Sequence, residues 1–168
     1  REYVDIIATV AKAHRKVDLM SLDNIFIGDQ EIRLSFLAAL LRLGDSFDID
    51  YRRVNVDRLN SLNIPVASKL YWYRHYYVEG IKINNQKIEL YFGFPSEYKD
   101  EHIYVNTMSE YVMHEVCNQI DEVYDILDNN GLRLPRKVPQ HCRFVSIRRH
   151  MPKDLVAYIK TMGEHNVV

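Results

Sequence analysis

Apolar residues recur at helical spacing in the first part of the chain. They fall three and four positions apart over about residues 2–19, which predicts an amphipathic helix whose apolar face carries Tyr3, Ile7, Val10, His14 and Val17. A second helix is predicted over about residues 31–48. Its middle is nearly all apolar, so we expect it to be buried on most sides. Residues 21–30 contain Ser, Asp, Asn and Gly without a sustained period, which predicts a loop.

The middle of the chain changes from helical to strand periodicity. A short helix is predicted over about residues 56–62, and another begins after Pro65, because proline fits the first turn of a helix. From Val78 the period becomes two, which predicts two strands joined by the polar turn of residues 84–86. Pro95 should end the second strand. A β-hairpin is therefore expected after a run of helices.

The last third of the chain predicts a helix, a strand and a helix. A capping-box pattern begins at Thr107, and Gly131 is placed to end the longest helix. Residues 142–149 alternate as a strand does, and residues 153–162 have the pattern of a short helix. The expected fold is mainly α: a helical body followed by a small α+β unit of hairpin, helix, strand and helix.

Composition narrows the class of protein. Hydrophobic residues make up 47% and charged residues 27%, which allows a packed core and argues against disorder. The 22 Lys and Arg are balanced by 23 Asp and Glu, which argues against a generally basic nucleic-acid-binding protein. Cys117 and Cys142 form no paired motif, so neither a disulfide framework nor a zinc cluster is indicated. No apolar run approaches a membrane span, and we expect a cytoplasmic location. Since the chain begins at Arg1 rather than Met, we expect it to be part of a longer protein.

Two polar residues interrupt the predicted apolar faces. His14 falls on the apolar face of the first helix and Asp45 on that of the second. A buried ionised carboxylate needs a partner, so Asp45 should pair with Arg42, Arg52 or Arg53, or bind a metal. His14 should either bind a backbone carbonyl as a core histidine or join Asp45 as a ligand of a divalent metal.

A family resemblance starts from the second helix. The run Leu37-Ala38-Ala39-Leu40-Leu41-Arg42-Leu43-Gly44-Asp45-Ser46-Phe47-Asp48-Ile49-Asp50 resembles the last conserved helix of the HD-superfamily metal-dependent phosphohydrolases. It is nearest the branch of exopolyphosphatase C-terminal domains and bacterial conflict-system HD domains. The helix with Ala13-His14-Arg15 is similar to the one that precedes it in that branch, and the resemblance covers about residues 1–95. It implies that residues 1–77 are the C-terminal part of an HD-like helical domain, on which the α+β unit of residues 78–168 packs.

The resemblance also implies a function. It points to a metal-dependent phosphohydrolase acting on a nucleotide or another phosphate ester, in which Asp45 and His14 bind a divalent metal: Mn, Mg, Ni or Fe. The adjacent His-Asp pair that gives the family its name is absent from this sequence. The active site is therefore incomplete in this chain, and the pair lies upstream of Arg1 or is lost. The alternative is a non-catalytic HD-like module that binds a ligand or another protein in a bacterial conflict or signalling protein.

Arginines are the expected phosphate ligands. Arg52 and Arg53 follow Asp45 closely and can stabilise charge on phosphoryl oxygens, unless they pair with Asp48 and Asp50 instead.

A basic segment lies near the end of the chain. Residues 132–153 hold seven Lys or Arg and no acidic residue, whereas residues 97–128 hold nine acidic residues and one Lys. Either the two segments neutralise each other, or the basic one binds an anionic ligand or nucleic acid, with Arg148 and Arg149 as candidate contacts. The expected partners are a phosphate-containing small molecule, other domains of a longer chain and nucleic acid; no membrane is expected.

Overall fold

The computed structural model describes residues 2–145 and 153–165. Within these residues, six α-helices are formed: α1 Glu2–Lys16, α2 Leu34–Phe47, α3 Val56–Ser61, α4 Val66–Tyr73, α5 His102–Asn129 and α6 Lys153–His165. Five strands form two small sheets: β1 Ile25–Ile27, β2 Gln30–Ile32, β3 Val78–Ile83, β4 Ile88–Pro95 and β5 Gln140–Val145. The fold is therefore mixed α/β, and the expectation of a mainly α chain is corrected. The order hairpin, helix, strand, helix after residue 77 is confirmed.

The chain divides into two compact units. The first unit comprises Arg1–Asp48 and Val116–Arg136, and the second comprises Ile49–Glu115 and Lys137–Val168. Helix α5 contributes residues to both units. The predicted domain boundary at residue 77 stays a prediction.

A β-hairpin replaces the predicted loop of residues 21–30, so that prediction is wrong. Strands β1 and β2 pair antiparallel, with Ile27 opposite Gln30 and only Gly28 and Asp29 between them. Gly28 has a φ of +57°, a value that glycine reaches without steric cost. A two-residue hairpin with glycine at the first central position is a favoured turn, so the Gly-Asp pair between short apolar runs was the signal for it.

In the first unit, α1 and α2 pack against each other through a face other than the predicted one. Small residues of both helices are buried, among them Ala13 of α1 and Ala38 of α2. Tyr3 and Ile7, which belong to the predicted apolar face of α1, are 58% and 67% exposed. Small side chains let two helix backbones approach closely, whereas periodicity alone does not decide which apolar residues meet the partner.

Helix α2 is less buried than its sequence suggests. We expected it to be covered on most sides, but three leucines of its apolar middle are exposed: Leu37, Leu40 and Leu41. Helix α2 packs mainly against α1 and the short turn Leu19–Ser21, and the described residues leave these leucines exposed.

The second unit is built on a three-stranded sheet in the order β3-β4-β5. Strands β3 and β4 form the predicted antiparallel hairpin. In the turn between them, the Asn84 side chain accepts hydrogen bonds from the backbone amides of Gln86 and Lys87. Strand β5 pairs parallel with β4, as it can because the long helix α5 connects them. One face of β4 forms the core of this unit through four fully buried residues: Ile88, Leu90, Phe92 and Phe94.

Helix α5 starts earlier than predicted and ends where predicted. It begins at His102, so the capping-box pattern at Thr107 lies inside the helix and does not mark its start. At the other end, the Leu132 N–H donates to the Leu127 carbonyl at 2.8 Å, and the Gly131 N–H donates to the Asp128 carbonyl at 2.9 Å. Gly131 has a φ of +83°. These two bonds and the glycine form a Schellman motif, which ends the helix.

The remaining helices lie close to their predicted positions. Pro65 precedes α4, which buries Leu70 and Tyr73. No helix among residues 2–145 and 153–165 combines the length and the apolar character that a membrane crossing requires.

Candidate functional site

His14 lies in the last turn of α1 and is half-buried. Its Nδ1 atom is 2.5 Å from the Ala11 carbonyl oxygen. A carbonyl oxygen can only accept a hydrogen bond, so Nδ1 carries the proton, and in the neutral ring the lone pair lies on Nε2. The predicted hydrogen bond to a backbone carbonyl is confirmed. This hydrogen bond does not exclude a role as a metal ligand. Metal-binding histidines commonly bind the metal through one ring nitrogen and donate a hydrogen bond from the other N–H to a backbone carbonyl.

Asp45 lies on α2 with its side chain exposed, so the premise that it interrupts a buried face is wrong. Its carboxylate forms no hydrogen bond or ion pair with any residue that the structure describes. The expected pairing of Asp45 with Arg42, Arg52 or Arg53 is therefore also wrong, and Arg42 pairs with Glu122 and Arg52 with Asp50 instead. A solvated carboxylate carries no desolvation penalty, so Asp45 needs no partner for stability.

The buried charge on α2 belongs to Arg42, which sequence reasoning missed. Arg42 is only 7% exposed. It follows Leu34 and Ala38 at intervals of four, and all three are buried. That spacing was the available signal, since it places an arginine on the same helix face as two apolar residues.

Arg42 closes the C-terminal end of α1. Its Nη2 donates to the Ala13 carbonyl at 2.8 Å and to the Val17 carbonyl at 2.9 Å, and its Nε donates to the His14 carbonyl at 3.2 Å. Its Nη1 pairs with Glu122 of α5 at 3.0 Å. The last carbonyls of a helix lack partners within the helix, and a cation is favoured near them. Burial of this guanidinium is therefore compensated by four hydrogen bonds.

The Arg52 guanidinium forms a two-point contact with the Asp50 carboxylate, at 2.9 and 2.6 Å. This hydrogen bonding lowers the pKa of the Asp50 carboxyl and raises the pKa of the Arg52 guanidinium. The predicted alternative, in which Arg52 pairs with a neighbouring aspartate, is thus confirmed for Asp50. A phosphate-binding role for Arg52 and Arg53 stays a prediction.

A metal centre needs more ligands than the structure brings together. Within residues 2–145 and 153–165, no three His, Cys, Asp or Glu side chains are grouped so that they could hold a metal ion. Imidazole nitrogen and carboxylate oxygen are suitable donors for divalent metals, so His14 and Asp45 fit such an ion in kind. They do not fit it in number, and the described residues alone make no metal centre.

The basic segment is partly neutralised by its neighbours. Arg133 pairs with Asp128 at 2.9 Å, as the neutralisation hypothesis expected. Arg143 of β5 binds Glu79 of β3 at 2.5 and 2.8 Å. Arg148 and Arg149 lie outside the described residues, so their anion-binding role stays a prediction.

A second charged cluster, which the sequence did not reveal, lies on the face of β4 opposite the core. The buried Glu89 carboxylate accepts hydrogen bonds from Lys87 at 2.7 Å and from His141 at 3.0 Å. The His141 ring stacks on Tyr91 with 4.9 Å between ring centres. Lys87, and to a lesser extent His141, hold the pKa of the Glu89 carboxyl below its usual value. The charges of the Glu89 carboxylate and the Lys87 ammonium compensate each other, which offsets the cost of burying this carboxylate.

The comparisons with known proteins identify one family. The family model HD-CE matches residues 1–125, about three quarters of the chain, and so extends past residue 95, where the resemblance in the sequence ended. No curated protein and no solved structure matches the chain. The matched region includes α1 with His14 and α2 with Asp45. The chain belongs to the HD-CE family, in the conflict-system branch of the HD superfamily.

Proposed function

We propose that this chain is part of a metal-dependent phosphohydrolase of the HD type, which acts on a nucleotide or another phosphate ester. In this proposal, His14 and Asp45 are the two ligands that the chain supplies to a divalent metal, Mn, Mg, Ni or Fe. Any further ligands come from outside the described residues.

The observation that carries the proposal is the connection between His14 and the helix that bears Asp45. Arg42 on α2 binds the backbone carbonyl of His14, and Asp45 follows Arg42 by three positions on the same helix. Residues three positions apart lie on neighbouring turns of one helix surface. The exposure of Asp45 supports the proposal further, because a carboxylate that forms no hydrogen bond or ion pair with described residues is available to a ligand.

The roles of the remaining groups follow from phosphate chemistry. When bound, a divalent metal polarises the phosphoryl group and lowers the pKa of a bound water. Positive side chains stabilise negative charge on phosphoryl oxygens, and Arg52, Arg53, Arg148 and Arg149 stay the proposed phosphate ligands of this chain. Arg52 must exchange part of its contact with Asp50 for the phosphate.

The proposal is tested by Asp45→Ala and His14→Ala in the full-length protein, assayed for hydrolysis of nucleotides with each of the four metals. Both changes should reduce metal-stimulated hydrolysis by about 100-fold or more, because loss of an outer hydrogen-bond partner alone costs about 10- to 100-fold. The matched control is Asp125→Ala, which removes another exposed helical aspartate of the same unit and should leave the rate unchanged. Full activity in Asp45→Ala would exclude Asp45 as a ligand.

A second candidate is a non-catalytic HD-like module that binds a ligand or another protein. It is favoured by the lack of a three-ligand group among the described residues and by the exposed apolar side chains of α1 and α2. The same assay separates the two candidates. A full-length protein that hydrolyses no phosphate ester with any of the four metals, yet binds nucleotide in calorimetry, would support the module and contradict the enzyme.

A further inference from the structure

The guanidinium of Arg42 uses four of its five N–H donors on fixed partners. Three partners are backbone carbonyls at the end of α1, and the fourth is the Glu122 carboxylate. A lysine could not reproduce this arrangement, because its three donors share one nitrogen whereas those of arginine form a planar fork. The geometry therefore depends on the shape of the arginine as well as on its charge.

Two hydrogen bonds fix His14, one at its backbone carbonyl and one at its ring. Its own carbonyl oxygen accepts from Arg42 Nε, and its ring Nδ1–H donates to the Ala11 carbonyl one turn earlier. The second bond decides which ring nitrogen carries the proton. It depends on an intact helical turn from Ala11 to His14, and the adjacent carbonyls of Ala13 and Val17 are those that Arg42 binds.

We propose that Arg42 is a positioning residue for His14: by binding the carbonyls that end α1, it keeps the imidazole in the tautomer with its proton on Nδ1. Arg42 acts through the backbone and has no contact with substrate in this proposal. The inference rests on the proposed function in one respect only, namely that a fixed Nε2 lone pair is useful for binding a metal.

The test uses NMR of the histidine ring nitrogens in metal-free full-length protein, at a pH well above the usual pKa of imidazole. His14→Gln identifies the His14 signals, because the chain has seven histidines. In the unchanged protein, His14 should be mainly the Nδ1–H tautomer. In Arg42→Lys the population should shift toward the Nε2–H tautomer, which is the major form of an unrestrained neutral histidine side chain. Arg133→Met, which removes an exposed arginine of the same unit, should leave the His14 signals unchanged.

A folded Arg42→Lys variant with unchanged His14 signals would overturn the inference. If this variant does not fold, Glu122→Gln takes its place. Glu122 is half-exposed, and its loss frees one arm of the guanidinium, so the same tautomer shift should appear to a smaller extent. A Glu122→Gln protein with unshifted His14 signals would likewise overturn it.

The readout separates this inference from the proposed function, since it needs neither metal nor substrate. If His14→Ala abolishes hydrolysis but Arg42→Lys leaves the His14 tautomer unchanged, the inference alone is refuted. If Arg42→Lys shifts the His14 tautomer but His14→Ala leaves hydrolysis unchanged, the proposed function alone is refuted.

Discussion

At the residue scale, two charged groups on α2 differ in environment although they are three positions apart. Arg42 is buried because backbone carbonyls of α1 and the Glu122 carboxylate replace its water contacts. Asp45 has no such partners among the described residues and is exposed. Removing a buried charge's partners costs far more than leaving an exposed charge in water. The environment of each group thus depends on the donors and acceptors that neighbouring helices place near it.

Glu89 leads to a prediction at the residue scale, which concerns how the stability of the fold changes with pH. Its carboxyl has a lowered pKa in the folded chain, first because of the hydrogen bond from Lys87 and then because of His141. A lowered folded pKa means that the ionised carboxylate stabilises the fold above its unfolded pKa, near 4.5, and that this contribution is lost as the pH falls through the folded value. Stability should therefore decrease on acidification below about pH 4.5.

Denaturant unfolding of the unchanged protein and of Glu89→Gln, followed from neutral pH to below pH 4, measures this effect. The variant should be less stable at neutral pH and should lose less stability on acidification. The exposed Glu31→Gln is the control and should keep the original acid dependence. Parallel pH profiles for the unchanged protein and Glu89→Gln would contradict the prediction.

At the scale of the element, β4 determines how the three-stranded sheet is built. Its alternate residues face the core, while Glu89, Tyr91 and Gly93 occupy the other face. Gly93 pairs with Arg143 of β5 in the strand register. The Glu79 side chain of β3 crosses over Gly93 to reach Arg143. The absence of a side chain at residue 93 is therefore what allows an ion pair to span three strands.

Gly93→Ala should break this contact. A Cβ at residue 93 would lie 2.6 Å from Glu79 Cδ, too close for the carboxylate to remain bound to Arg143. The gain from replacing a strand glycine is about 0.5–1 kcal/mol, and a surface ion pair contributes about 0–1 kcal/mol. We expect Gly93→Ala to lower the free energy of unfolding by about 1 kcal/mol or less, because steric displacement adds to the lost pair.

A double-mutant cycle with Arg143→Ala checks the cause. Without the arginine, the Glu79 side chain is free to turn away from residue 93, so Gly93→Ala should become neutral or stabilising. Chemical denaturation of the four proteins gives the coupling energy. An identical effect of Gly93→Ala with and without Arg143 would show that the ion pair is not what the new side chain displaces.

At the scale of the whole molecule, the family match and the compact units have different boundaries. The HD-CE match over residues 1–125 takes in residues of both units, whereas β5 and α6 follow it. Strand β5 nevertheless completes the sheet of the second unit by pairing with β4. A segment beyond the family match is thus part of the hydrogen-bonded structure.

The incomplete ligand set predicts the behaviour of the isolated chain. Among residues 2–145 and 153–165, His14 and Asp45 are the only proposed ligands, and no group of three is present. Residues 1–168 expressed alone should therefore show negligible hydrolysis of nucleotides with Mn or Ni. A colorimetric phosphate assay measures this, with the full-length protein as the positive control. Robust activity of the isolated chain would mean that other residues of this chain supply metal ligands and that the assignment of His14 and Asp45 as ligands is wrong.

Several elements follow from the sequence alone because their causes are local. The turn at residues 84–86, the strand end at Pro95 and the helix end at Gly131 depend on backbone preferences of a few adjacent residues. The resemblance around Asp45 is local too, because it is a single run of residues on one helix, and the family match confirms it. A local signal also misled at the start of α5, because the capping box at Thr107 lies inside a helix that begins at His102.

Tertiary structure alone decided which face of each helix is buried and which strands become neighbours. The periodicity of α2 is compatible with a buried face that includes Asp45 or with one that includes Arg42. The face with Arg42 is the buried one because the carbonyls at the end of α1 accept hydrogen bonds from its guanidinium. The parallel pairing of β4 and β5, and with it the contact of His141 with Glu89, joins residues about 50 positions apart. Such contacts depend on the relative placement of distant segments, because hydrogen-bond partners far apart in the chain leave no period in the sequence.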